Sequence, residues 1–264
     1  MKKALGIERA YPKVNIFLKV VGIKGEYHLI KSRFQLVTTI WDTLEIREGS
    51  KFNFFIDRVN CPLRENLIFK AYNRLIKIYP EFREWFIGKE IYLRKGIPEG
   101  SGLGGGSSDA AAFLRLVNKL GGFGLTLSQL AEIGAEVGKD VPFFIYGYKS
   151  ANVSGLGEIV EPFEEEELEL ELFTPPIGCE TGKVYRYYRT YFLNQPKGWE
   201  RLKKSLEEGM RWERTPSREL LEQYLPERLN DLLIPALSLY PKLSRYRQFG
   251  FFSGSGSSFF RIKN

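Results

Sequence analysis

Pro98-Glu99-Gly100-Ser101-Gly102-Leu103-Gly104-Gly105-Gly106-Ser107-Ser108-Asp109-Ala110-Ala111-Ala112 constrains this chain more than any other stretch. Five glycines precede two hydroxyls, and an alanine- and leucine-rich run of strong helix propensity follows. Glycine, lacking a Cβ, lets the backbone take positive φ and lie close to a ligand, with successive N–H groups turned inward. A helix beginning there adds unpaired amide donors and the positive end of its dipole. Together these features read as a cradle for an anion, above all a nucleotide phosphate.

Two other phosphate motifs fit less well. A P-loop requires lysine between its last glycine and the Ser/Thr, and none stands here. Gly100-x-Gly102-x-x-Gly105 satisfies the dinucleotide spacing, but that fold also wants an acidic residue about 20 positions on. Residues 118–131 contain none. A flexible glycine linker is the bland reading, and the helix-forming run directly behind the glycines argues against it.

Working outward, Lys13-Val14-Asn15-Ile16-Phe17-Leu18 reads as a strand whose period of two puts Lys13 and Asn15 on one face. A solvated strand face explains that pair equally well. His28 is the chain's one histidine, so no multi-histidine metal site is expected. A lone histidine is ordinarily a surface or hydrogen-bonded structural residue. Asp140, ahead of Val141-Pro142-Phe143-Phe144, reads as a cap or turn residue. The serine/glycine segment 252–260, flanked by phenylalanines, reads as a hairpin turn. Asn230-Asp231 before an apolar run reads as a helix cap.

Taken together, these segments resemble the GHMP small-molecule kinases, specifically the branch that phosphorylates a cytidine diphosphate-linked methylerythritol. The glycine stretch is similar to the family's second motif and segment 252–260 to its third, while residues 11–18 are similar to its N-terminal Pro-Ala-Lys-Ile-Asn-Leu. Tyr27-His28 and Gly138-Lys139-Asp140-Val141-Pro142-Phe143-Phe144 match two further motifs, with Glu26 and Lys139 departing from the usual glycine and alanine. The match runs from residue 11 to about residue 260, and is weak over 45–95 and 186–250.

The resemblance implies an ATP-dependent alcohol kinase using ATP with Mg²⁺. Pro98, Gly100, Gly102, Leu103, Gly104, Gly105, Gly106, Ser107 and Ser108 would hold the nucleotide. Asp140 would be the catalytic base, kept ionised by Lys13 beside it. Asn15, Tyr27, His28, Thr181 and Tyr185 would bind substrate, the histidine and aromatics reading the cytosine; no protein ligand for a metal is implied. Lys139 is expected in solvent.

Length and composition agree. The 264 residues, 43% hydrophobic and 14% aromatic, suffice for one large or two fused domains with a sizeable core. Cys61 and Cys179 lie far apart, which fits a reducing compartment and neither a disulfide framework nor a zinc site. With no leader and no apolar run near 18 residues, a soluble cytoplasmic protein is expected. The formal charge of +7 raises an RNA-binding alternative, but the basic residues are scattered and no basic-aromatic stripe appears. A kinase of another alcohol and a noncatalytic nucleotide-binding regulator are the other rivals. Expected partners are small molecules, with no nucleic acid and no membrane, the chain being a monomer or weak homodimer. Eight glutamates and no basic residue fill 157–172, and read as a solvated edge.

Strands are expected at 13–20, 44–46, 51–56, 90–94 and 168–173, and around the final serine/glycine loop. Helices are expected at 65–78, 108–119, 128–137 (capped by Ser128), 198–208, 217–224 and 229–239. That mixed order is α+β. The resemblance implies a two-domain GHMP kinase fold: a ribosomal S5 domain 2-like N-terminal half binding ATP (1–155) and a ferredoxin-like half binding substrate (156–264).

Overall fold

The computed structural model describes residues 3–57 and 62–263, so Cys61 lies outside the described residues. In chain order its strands begin with β1 (Ala4–Ala10), β2 (Lys13–Lys24), β3 (Tyr27–Leu36), β4 (Asp42–Glu48) and β5 (Asn53–Ile56). Helix α1 (Leu67–Ile78), β6 (Lys89–Arg94), α2 (Gly105–Gly121), α3 (Leu127–Val137) and α4 (Val141–Tyr146) follow. Next come β7 (Ser150–Gly155), β8 (Ile159–Pro162), β9 (Leu170–Phe173), α5 (Thr181–Tyr188) and α6 (Gly198–Trp212). The chain ends with α7 (Ser217–Gln223), α8 (Pro226–Leu229), α9 (Leu233–Leu239), β10 (Phe251–Phe252) and β11 (Phe259–Ile262). Contacts gather these into two compact units, the first from 3–12, 38–57, 62–99 and 104–147, the second from 13–37, 100–103 and 148–263. These units do not follow a single cut at residue 155, because β2 and β3 pair with each other and β3 with β7.

In the first unit a sheet of order β1-β4-β6-β5 is antiparallel except for the parallel pair β5–β6. Helix α2 packs on β1 and β4 and against α1, α3 and α4. Ala110, Ala111 and Ala112 are fully buried, their small side chains allowing close packing. Phe113, equally buried, contributes about 1.5–3 kcal/mol of apolar transfer. Helix α2 begins three residues earlier than expected. Gly104, at φ 73°, turns the chain in, and the glycines behind it fill the first turn, where helix propensity matters least. Helix α3 is capped by Thr126 rather than Ser128. The Thr126 hydroxyl accepts from the Gln129 N–H, and the Gln129 side chain accepts from the Thr126 N–H at 2.9 Å, a reciprocal capping box.

In the second unit β2-β3-β7-β8 form an antiparallel sheet and β10-β11-β9 a smaller one. A core of Leu18, Val20, Val184, Tyr188, Leu232 and Phe252 packs within this unit. Cys179 is buried there as a free thiol, pushed up to about 12 by burial. The acidic run is not wholly a solvated edge. Glu165 accepts from the Ser150 hydroxyl at 2.6 Å and the Ser217 N–H at 2.7 Å, and pairs with Arg33 at 3.4 Å. Arg33 is fully buried, stacks on Phe163 at 3.4 Å and donates to the Trp212 and Glu213 carbonyls.

The helix expected over 229–239 is broken at Asn230. Its amide donates to the Phe252 and Gly254 carbonyls, both at 2.9 Å, while its oxygen accepts from the Leu232 N–H at 2.8 Å. Asp231 accepts from the Lys19 ammonium at 2.5 Å, the Val20 N–H at 2.9 Å and the Ser205 hydroxyl at 2.9 Å. The dipeptide therefore does more than cap a helix.

Candidate active site

Residues 100–103 belong to the second unit, and their carbonyls are all turned into it. The Gly100 carbonyl accepts from the Cys179 N–H (3.0 Å), that of Ser101 from the Ser258 N–H (2.9 Å), and that of Leu103 from the Lys13 N–H (2.9 Å). The Gly102 carbonyl accepts from the Lys13 ammonium at 3.0 Å and the Ser253 hydroxyl at 3.1 Å. Among the described residues, the N–H groups of Gly102 and Leu103 meet no protein acceptor. Carbonyls anchored inward with amides left over is the arrangement that binds anions.

Segment 252–260 supplies much of that anchorage. Ser253, Ser257 and Ser258 are essentially inaccessible, and the turn between β10 and β11 closes through Ser253 N–H to the Ser258 carbonyl at 3.0 Å. The expected hairpin turn is thus present, and its serines also hold the carbonyls of Ser101 and Gly102. Gly102, at φ 76°, leaves no room for a side chain, since a Cβ would lie 2.3 Å from the Ser253 carbonyl oxygen. Gly102→Ala is expected to lose about 1–3 kcal/mol of stability through this overpacking, read as a lower denaturation midpoint. An unchanged midpoint would show that the carbonyl cradle yields without cost.

Lys13 and Asn15 share a face of β2, as the spacing predicts, but that face is not solvated: they are 3% and 2% exposed. The Lys13 ammonium donates to Asn15 Oδ1 at 2.6 Å and lies 4.6 Å over the Phe34 ring. Asn15 in turn donates to the Ser32 hydroxyl at 2.9 Å, so its side chain is occupied in fixing the lysine.

Also in the second unit, His28 and Tyr185 stand with ring centroids 5.1 Å apart and planes inclined by 34°. His28 is 8% exposed, and its Nε2 is buried without a hydrogen-bond partner among the described residues. It is therefore neither a surface histidine nor one tied into the structure through that nitrogen. Burial, with Arg189 nearby, holds its pKa below the ordinary 6.5. Tyr27 beside it is exposed. Thr181 and Tyr185, four residues apart, lie on one face of α5, and the Thr181 hydroxyl is 2.8 Å from that of Ser255. Sequence reasoning missed Arg189, whose guanidinium donates to the Gly25 carbonyl at 3.0 Å and so ties the β2–β3 turn to the end of α5.

In the first unit, Gly104, Gly105, Gly106 and Ser107 open α2, and their N–H groups likewise meet no protein acceptor among the described residues. The two serines differ. Ser108 is buried and its hydroxyl donates to the Tyr11 carbonyl at 2.7 Å, whereas Ser107 is half-buried. Pro98 and Glu99 ahead of the loop are exposed.

Asp140 occupies the N-cap position of α4, but its carboxylate does not cap that helix. Its turn lies against the start of α2: a Cβ on Gly138 would come 3.4 Å from the Ser107 hydroxyl. Lys139 does not run free into solvent as expected. It is half-buried, and its ammonium donates to the Ala135 carbonyl at 3.0 Å, closing the end of α3.

Residues 66–148 match the GHMP kinases N terminal domain. A 4-diphosphocytidyl-2-C-methyl-D-erythritol kinase from Sulfurovum sp. is 45% identical over 260 residues, covering 97% of this chain and 98% of that protein. One from Helicobacter pylori is 42% identical over 270 residues, covering 96% and 93%. A crystal structure of a 4-(cytidine 5'-diphospho)-2C-methyl-D-erythritol kinase matches with a TM-score of 0.68 at 30% identity, over 98% of this chain and 90% of that one. A mevalonate kinase structure matches with a TM-score of 0.65 at 16% identity, over 98% and 91%, and shares the fold. At 45% identity over nearly its whole length, the chain belongs to the 4-diphosphocytidyl-2-C-methyl-D-erythritol kinase family within the GHMP kinases.

Proposed function

We propose that this kinase transfers the γ-phosphoryl group of ATP to the 2-hydroxyl of 4-diphosphocytidyl-2-C-methyl-D-erythritol, leaving ADP and a phosphate monoester. The free amides of residues 102–107 receive the ATP phosphates, and the Ser107 hydroxyl meets a phosphate oxygen, that of Ser108 being engaged with the Tyr11 carbonyl. Mg²⁺ accompanying the ATP would offset the triphosphate charge; no protein ligand is assigned to it. Asp140 accepts the proton of the 2-hydroxyl as the new P–O bond forms, and the Lys13 ammonium offsets charge on the transferring group. In outline, residues 1–155 serve ATP and 156–264 the substrate, with Lys13, Asn15, Tyr27 and His28 contributing to the substrate side.

The observation that carries the substrate assignment is the buried His28 Nε2, without a partner in the described chain and backed by Tyr185. A neutral imidazole offers one donor and one acceptor, which matches the edge of cytosine, and an aromatic face takes the ring. The Thr181 hydroxyl fits a polar group of the same ligand. Partners in this reading are the two small molecules alone, with neither nucleic acid nor membrane. The protein acts in the cytoplasm as a monomer or weak homodimer. Among the described residues, no helix is long and apolar enough to cross a membrane.

His28→Ala is expected to raise the KM for the cytidyl substrate about tenfold or more, with the KM for ATP unchanged. Because the ring's pKa lies below 6.5, this advantage of the wild type persists as pH falls from 8 through 6.5, and is lost only where the imidazole protonates below that. A uridine-linked analogue, with donor and acceptor exchanged, tests the same point. Its turnover as a good substrate would remove His28 as the base reader.

A further inference from the structure

Behind the start of α2, the first unit buries two acids and a base that the proposed chemistry does not use. Asp42 opens β4, Lys95 follows β6, and Asp109 lies one turn into α2; their side chains are 0%, 8% and 4% exposed. Asp42 accepts from the main-chain N–H groups of Gly96 (2.5 Å) and Ile97 (2.8 Å) and from the Lys95 ammonium. The same ammonium donates to Asp109 Oδ2 at 2.7 Å, while Asp109 Oδ1 is buried with no partner among the described residues. The first helical residue sits directly on this cluster. A Cβ on Gly105 would lie 2.9 Å from Ile97 and 3.5 Å from the Lys95 ammonium.

Stability alone does not account for such a cluster, since a buried ion pair is often no more stabilising than well-packed apolar residues of similar volume. What it does provide is position. One ammonium held from both sides fixes a strand end and a helix start relative to each other at hydrogen-bond distances. Its charge state also suits an anion site. Burial pushes the Asp109 carboxyl up to about 8, with Lys95 opposing and Asp42 adding to the shift. Burial works against the Lys95 charge, yet Asp109 and Asp42 hold that ammonium above its usual range. Asp109 is thus pushed toward its neutral form while Lys95 stays charged, which limits the negative charge behind the free amides.

We propose that Asp109, Lys95 and Asp42 are positioning residues for the nucleotide: the lysine, clamped between two carboxyl groups, fixes the first turn of α2 on the end of β6 and presets the amides of residues 104–107 for the phosphates. This rests on the reading that those amides receive ATP.

The test compares Lys95→Met/Asp109→Leu, Asp109→Asn and Gly104→Ala in full-length protein, measuring KM for each substrate, kcat and Tm. The double variant should fold, and should raise the KM for ATP about tenfold or more while the KM for the alcohol stays within about twofold. Asp109→Asn keeps an acceptor for Lys95 and should bring the KM for ATP back to within about threefold of wild type. A folded double variant with an unchanged KM for ATP overturns the proposal, provided Gly104→Ala raises that KM. If Gly104→Ala also leaves it unchanged, the phosphate-loop reading itself has failed and the proposal with it. Should the double variant not fold, Asp109→Ala decides by the same ratio: a rise of about fivefold supports the proposal, and no change overturns it.

Discussion

Asp140→Asn is expected to lower kcat by roughly 10²–10⁴-fold while leaving the KM for ATP within about twofold. Asparagine is nearly isosteric, so the turn from Gly138 into α4 persists, and the carboxylate does not cap that helix in any case. In the proposed mechanism the substitution removes the group that accepts the hydroxyl proton. The contribution of a general base appears in the transition state and not in nucleotide binding, which separates this variant from one in the glycine loop. Turnover within a few-fold of wild type would remove Asp140 from the chemistry. The turn would then be explained by the packing of Val141, Phe143 and Phe144 in the core.

Lys13→Met is expected to lower kcat by about 10²–10³-fold, the scale seen when one preorganised donor to a developing charge is lost. Methionine keeps an unbranched apolar side chain but not the ammonium that lies over Phe34. Asn15 Oδ1 and the Gly102 carbonyl would each lose a donor, so about 1–3 kcal/mol of stability should go with the activity. Denaturation and turnover must therefore be measured on the same preparation. If kcat falls only as far as the folded fraction falls, Lys13 is a structural anchor of the loop and not a catalytic group.

The glycine loop leading into a helix was legible in the sequence because its information is local: glycines, hydroxyls and a helix former stand side by side. The start of α2 was less legible, since Gly105 and Gly106 oppose helix by propensity, and only Gly104 at positive φ with the packing against Ile97 places them in the first turn. Strand β3 escaped notice because Lys31, Arg33 and Gln35 break its apolar pattern, while Arg33 is fully buried by partners distant in sequence. The same distance hid Glu165 within an acidic run. Asn15 was placed with the substrate by resemblance, and in the structure its side chain holds Lys13 and Ser32. Asp42, Lys95 and Asp109 carry no shared motif; folding alone brings them together.

The central claim is tested most directly by following phosphoryl transfer from ATP in the presence of Mg²⁺ to 4-diphosphocytidyl-2-C-methyl-D-erythritol, with mevalonate, homoserine and galactose run in parallel. Transfer to the cytidyl alcohol alone is the predicted result. Transfer to another of these alcohols would contradict the base-reading role of Tyr27, His28 and Tyr185, and transfer to none of them with ATP still bound would contradict the assignment of Lys13 and Asp140 to catalysis.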